Sequence, residues 1–158
     1  MNKFSAWLLA WLLLAAVISG CSSDDQSPED AVRAFVASAE NAAERRSADE
    51  LLEMIDENYL DKKGQNRKQV AGLLRAYFFT HKNIHLFTRI ERIEWLGETQ
   101  ATVTLHVAMA GSVISDIEAL ELLRARIYRF ELGLVRQDQD RWLLQHADWK
   151  AANLLDMR

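Results

Sequence analysis

The chain reads as an α+β domain, with N-terminal helices packed on one face of a curved antiparallel sheet. Three observations predict this. Apolar residues recur at a period near four as far as His81, and at a period of two beyond it. Helix-start signals open the first half, at Ser27-Pro28-Glu29-Asp30 and at Ser47-Ala48-Asp49-Glu50. Two of the later alternations slip parity by one residue, as β-bulges make them do, and bulged strands curve a sheet.

Ser27 is placed as an N-cap, with Pro28 at the first helical position and two acids in the first turn. Val32, Phe35, Val36, Ala39 and Ala43 then mark one helix face, widened by Ala42. The second helix carries Ala48, Leu51, Leu52 and Ile55 on one side. Tyr59 to Gln65 breaks the rhythm, with Gly64 in the turn. A third helix is predicted from about Asn66 to Thr80, striped by Val70, Leu73, Leu74, Tyr77 and Phe78.

Beyond His81, Ile84, Leu86, Thr88 and Ile90 alternate as in a half-buried strand, and Ile93 and Trp95 continue on the opposite parity. A bulge near Glu91-Arg92 accounts for the slip. After the turn Leu96-Gly97-Glu98-Thr99, a strand carries Ala101, Val103, Leu105, Val107 and Met109. Ser115-Asp116-Ile117-Glu118 predicts a short helix or lid over Asp116–Leu123. A third strand spans Arg124–Arg136, with Tyr128, Phe130, Leu132 and Leu134 on one face. Gln137 to Asp140 turns the chain into a last strand, Arg141–Lys150, which slips from Trp142 and Leu144 to Ala147 and Trp149. Residues 151–158 read as a frayed tail. Leu51, Leu73, Leu74, Leu105, Phe130 and Leu132 are expected to be buried together.

The first stretch has a different character. Lys3 precedes an almost unbroken apolar run, Phe4 to Val17, which ends in Ile18-Ser19-Gly20-Cys21. The run is shorter than the roughly 20 residues of a membrane span. Small residues directly before the only cysteine resemble the lipobox of a bacterial lipoprotein signal peptide. The resemblance implies cleavage after residue 20, acylation of Cys21 by palmitate or a similar chain, and a mature protein held on a membrane. Ser22 follows the cysteine, where lipoproteins kept at the inner membrane of Gram-negative bacteria typically carry Asp. The implied location is therefore the cell envelope, at the outer membrane facing the periplasm if the source is Gram-negative. Residues 21–26 then serve as a polar tether and residues 27–150 as the domain.

Removing Lys3 from 19 basic residues leaves 18 against 23 acidic ones, a net charge of −5. That balance disfavours a nucleic-acid partner, whose affinity rests on neutralising phosphates. A single cysteine, committed to lipid, leaves none for an intramolecular disulfide.

The order of three helices followed by bulged hairpins resembles the nuclear transport factor 2-like (cystatin-like, cone-shaped) superfamily. Ser27-Pro28-Glu29-Asp30-Ala31-Val32-Arg33-Ala34-Phe35 is similar to the usual start of its first helix, and Arg141-Trp142-Leu143-Leu144 to its last strand. The resemblance covers roughly residues 27–150. It implies a conical cavity between helices and sheet, and extends to this chain a homodimer through a sheet face. Here that face is Arg- and Glu-rich, which favours a homodimer only weakly. Isomerases, dehydratases, ligand-binding modules and protein-interaction modules share the fold, so it does not settle the activity.

No phosphate-binding glycine loop, zincin helix, nucleophile elbow or paired-cysteine site is present, so no cofactor and no metal is expected. Tyr59, Tyr77, Phe87, Tyr128 and Trp149 are the candidate pocket residues, with plain core filling as their ordinary role. His81 and His85 stand four apart, but the change of period between them puts them on different elements. Asp148, with His146 two residues earlier, is the late-strand pair that an isomerase or dehydratase of this superfamily would use, with Tyr128 as another partner. The motifs around such pairs are missing, and the ordinary alternative is a solvated surface pair. The leading expectation is a non-catalytic, membrane-anchored envelope lipoprotein that binds a small apolar ligand or a periplasmic protein. A lipid-anchored isomerase or dehydratase is the alternative.

Overall fold

The computed structural model describes residues 27–137 and 141–157. The stretch predicted as signal peptide, Cys21 and the predicted tether lie outside the described residues, as do positions 138–140 and 158. Three helices come first. α1 (Pro28–Glu44) is capped by Ser27, whose hydroxyl accepts from the Asp30 N–H at 3.1 Å. α2 (Ala48–Glu53) is capped in the same way by Ser47. The reciprocal capping box sits at α3 (Arg67–Thr80): Asn66 accepts from the Gln69 N–H at 3.1 Å, and the Gln69 side chain accepts from the Asn66 N–H at 2.9 Å. The Arg67 guanidinium turns back to donate to the carbonyls of Leu52 and Ile55, satisfying groups at the end of α2.

Four strands follow, β1 (His85–Trp95), β2 (Gln100–Ala110), β3 (Arg126–Arg136) and β4 (Trp142–Ala151), with the short helix α4 (Ile117–Leu122) between β2 and β3. They form one antiparallel sheet in the order β1-β2-β3-β4. The β1–β2 register slips between Ile90 and Arg92, at the position where the parity shift predicts a bulge. The β3–β4 register slips between Gly133 and Leu134, leaving Gln145 as the extra residue on β4. Gly97 turns the first hairpin at φ 91°, a backbone region that glycine enters without strain.

α1 lies on the sheet through Val32, Phe35 and Val36, which pack with Val103, Leu105, Leu134 and Trp142. α2 and α3 join through Leu52, Ile55, Tyr59, Ala71 and Ala147. The outer edge of β4 is covered by the α2–α3 segment. Leu144 exchanges backbone hydrogen bonds with Met54 and Asp56, and the Leu60 N–H reaches the Gln145 carbonyl. A sheet edge is thereby closed to foreign strands.

Two expectations need correction. The C-terminal residues are not a frayed tail: Leu154–Met157 forms a 3₁₀ turn, and Met157 is fully buried against Ala108, Leu120 and Ile127 on the outer sheet face. The Arg89 guanidinium donates to the Met157 carbonyl at 2.7 Å. Apolar Leu154 and Met157 find cover under α4, so the turn is held by packing. The second correction concerns the six residues expected in a common core. They do converge, but Leu105 alone among them is fully buried, and Leu73 is 49% exposed. All six surround a cavity.

Candidate functional site

The three helices lean on the sheet without closing against it. A cavity of about 540 Å³ remains between them, within the range of about 300–1,000 Å³ typical of small-molecule sites. α1 contributes Phe35, Val36, Ala39 and Ala43 to its wall. α2 and α3 contribute Leu51, Leu73, Leu74, Tyr77 and Phe78, and the sheet contributes Leu105, Phe130, Leu132 and Trp149. The helix stripes and the strand alternation are the local cause, since each turns its apolar side chains toward this space.

Polar atoms are few, and most are already engaged. The Tyr77 hydroxyl donates to Met109 Sδ at 3.9 Å. The Tyr59 side chain is buried and hydrogen-bonded with the Ala147 backbone. Burial and the nearby Asp61 charge push its phenol up to about 12. Glu40 is the only charged residue among the 25 that line the cavity. It accepts a hydrogen bond from the Thr88 side chain. Burial, with a smaller contribution from neighbouring Glu44, holds the Glu40 carboxyl above its ordinary value despite that bond. Glu44 is occupied at the rim, where it accepts from the Leu86 N–H at 2.8 Å.

Of the candidate pocket residues, Tyr59, Tyr77 and Trp149 line the cavity. Phe87 and Tyr128 do not. Phe87 alternates away from Leu86 and Thr88, so its ring lies on the outer sheet face and packs with Ala108, Leu120 and Ile127. Tyr128 shares the cavity face with Phe130, 6.4 Å ring to ring, but stands nearer the strand end, beyond the lining. Glu40 and Thr88 carry a signal that the pattern contains. Glu40 falls four residues after Val36 on the α1 stripe, and Thr88 interrupts the run Ile84, Leu86, Ile90. A polar residue on an apolar face marks a place where the fold does something other than fill space.

His146 and Asp148 project from the outer face. Trp149 and Ala147, their neighbours on β4, point into the cavity. Asp148 pairs with Lys62 at 3.0 Å in a half-exposed salt bridge, and this hydrogen bond holds its carboxyl below the ordinary value. The His146 ring lies over Gly133, its partner across the sheet; a Cβ on that residue would come within 1.9 Å of the ring. The basic α2–α3 loop is engaged along β4: Lys62 also reaches Glu131, and Lys63 sits over the Trp149 ring at 4.0 Å. His106 is on the outer face but only 6% exposed, facing Glu91 at 3.9 Å beside the Arg129–Glu91 pair. His81 ends α3 stacked on Tyr77, while His85 opens β1. Among the described residues no group of three or more His, Cys, Asp or Glu side chains could hold a metal ion.

No family model and no curated protein matches the sequence. Solved structures do match. One is a domain of unknown function with a cystatin-like fold from Nostoc punctiforme: TM-score 0.60, 16% identity, covering 82% of this chain and 80% of that one. Another is an NTF-2-like protein of unknown function from Shewanella oneidensis: TM-score 0.56, 18% identity, covering 77% and 98%. A third is a ketosteroid isomerase-like protein from Erwinia carotovora: TM-score 0.58, 9% identity, covering 78% and 95%. The chain therefore has the nuclear transport factor 2-like, or cystatin-like, fold. At such identities the likeness is one of fold alone.

Proposed function

We propose that this protein is an envelope lipoprotein, anchored through lipid on Cys21, whose domain binds a small apolar ligand without chemical turnover. The observation that carries the reading is the preformed cavity, walled almost wholly by aliphatic and aromatic side chains. The position of Asp148 weighs against the isomerase or dehydratase alternative. Its carboxylate lies outside the cavity, neutralised by Lys62, where it can neither meet a bound substrate nor act as a desolvated base. A periplasmic protein partner and a homodimer rest on the fold resemblance alone, so the cavity supplies the more specific reading.

Two experiments test the two halves. Cys21→Ser is expected to leave the precursor uncut or to release the protein from membranes; a free Cys21 thiol found by intact mass on membrane-bound protein would refute the anchor. For the cavity, the full chain in lipid nanodiscs is titrated with a fluorescent apolar probe against empty nanodiscs. Leu132→Trp, which narrows the cavity from the sheet side, is expected to weaken the difference clearly while preserving the far-ultraviolet circular dichroism. Probe binding that Leu132→Trp leaves unchanged would refute the ligand reading.

A further inference from the structure

Resting on the cavity reading above, we infer that the ligand is an amphiphile that brings a hydrogen-bond donor, an ammonium group above all, to the Glu40 carboxylate while its apolar body fills the space between helices and sheet. Glu40 occupies a position on the α1 stripe between Val36 and Ala43, where an aliphatic residue would suit the fold better. The neighbours that act on it are a hydroxyl, Thr88, and a second carboxylate, Glu44, with no cation among them. A carboxylate offers about four acceptor sites, and Thr88 uses one. Of the two phenols in the wall, Tyr77 donates to Met109 Sδ and the Tyr59 oxygen is bonded by the Ala147 backbone, and Glu40 is the charged group of the wall, with acceptor sites to spare for a guest.

The sign of the site follows from the same geometry. Glu40 and Glu44 stand one helical turn apart at the β1 end of α1, so the local potential is negative. An anionic head such as a fatty carboxylate meets repulsion there. A cationic head gains a charge-assisted hydrogen bond at a half-buried carboxylate in an otherwise apolar wall. A neutral alcohol can donate without charge and falls between the two.

The test uses three probes with identical octyl tails: octylamine, octanol and octanoate. Each competes at neutral pH for the fluorescent apolar probe bound to the full chain in nanodiscs, with empty nanodiscs subtracted. Octylamine is expected to bind most tightly and octanoate at least about tenfold more weakly. Glu40→Gln keeps the shape and an acceptor but removes the charge, and is expected to bring amine and carboxylate within about threefold of each other. Glu44→Gln, at the rim, is expected to narrow the gap less. Equal binding of octanoate and octylamine to the unaltered chain overturns the inference and leaves the cavity reading standing. An amine preference that survives Glu40→Gln overturns the assignment to Glu40. No binding of any probe overturns the cavity reading and this inference with it.

Discussion

Leu105 and Leu73 carry the same side chain, and the structure predicts that truncating them has different consequences. Leu105 is 4% exposed and packs with Val103, Phe35 and Trp142. Leu105 also lines the cavity, but it is nearly fully buried, so Leu105→Ala removes almost the whole transfer free energy of its missing carbons and enlarges the empty space beside it, at a cost of about 2–4 kcal/mol. Leu73 is 49% exposed, with its buried half against the cavity. Burying a whole Leu side chain contributes about 1.5–3 kcal/mol, so half of that is about 1 kcal/mol, and no closed void is added. Leu73→Ala should therefore cost about 1 kcal/mol in stability and weaken apolar ligands by loss of wall contact. Urea unfolding of both variants, without ligand and with the urea dependence checked for change, gives the comparison. Equal costs, or a larger cost for Leu73→Ala, would refute the view that these helices frame a cavity.

Further predictions follow from other parts of the fold. Gly133→Ala places a methyl group inside the volume of the His146 ring and should destabilise by about 1–3 kcal/mol, with most of the loss recovered in Gly133→Ala/His146→Ala; additive losses in the double-mutant cycle would contradict the contact. Tyr59 has its pKa raised to about 12 from 10.0, so its contribution to stability is fully present below pH 10 and falls as pH rises from 10 towards 12. Tyr59→Phe should flatten that part of the alkaline profile, as measured by chemical unfolding at a series of pH values. Asp148→Asn removes a solvent-screened surface pair with Lys62 and should leave stability nearly unchanged, with normal cellular phenotype. A phenotype matching full deletion at normal abundance would restore the enzyme reading.

Much of the architecture is legible in the chain because its causes are local. A capping side chain bonds within three residues, as Ser27 does to Asp30, and a bulge flips the parity of everything after it, as at Glu91. The position of Phe87 is legible for the same reason: it alternates with His85 and Arg89, not with Leu86, although an aromatic ring invites a pocket assignment. The C-terminal turn is less legible, since its stability comes from α4 and β3 residues far away in sequence.

The sequence by itself determined which side of each helix and strand turns from water, and hence the order of helices on a curved sheet. Periodicity records a face, but not what stands opposite it. Leu51, Leu73, Leu74, Phe130 and Leu132 carry the same pattern whether helix and sheet touch or stand apart. The tertiary structure decided that they stand apart, because α1 meets the sheet at Val32, Phe35 and Val36 while α2 and α3 are held out along β4. That separation puts Glu40 and Thr88 in the wall of a cavity and leaves Asp148 outside it.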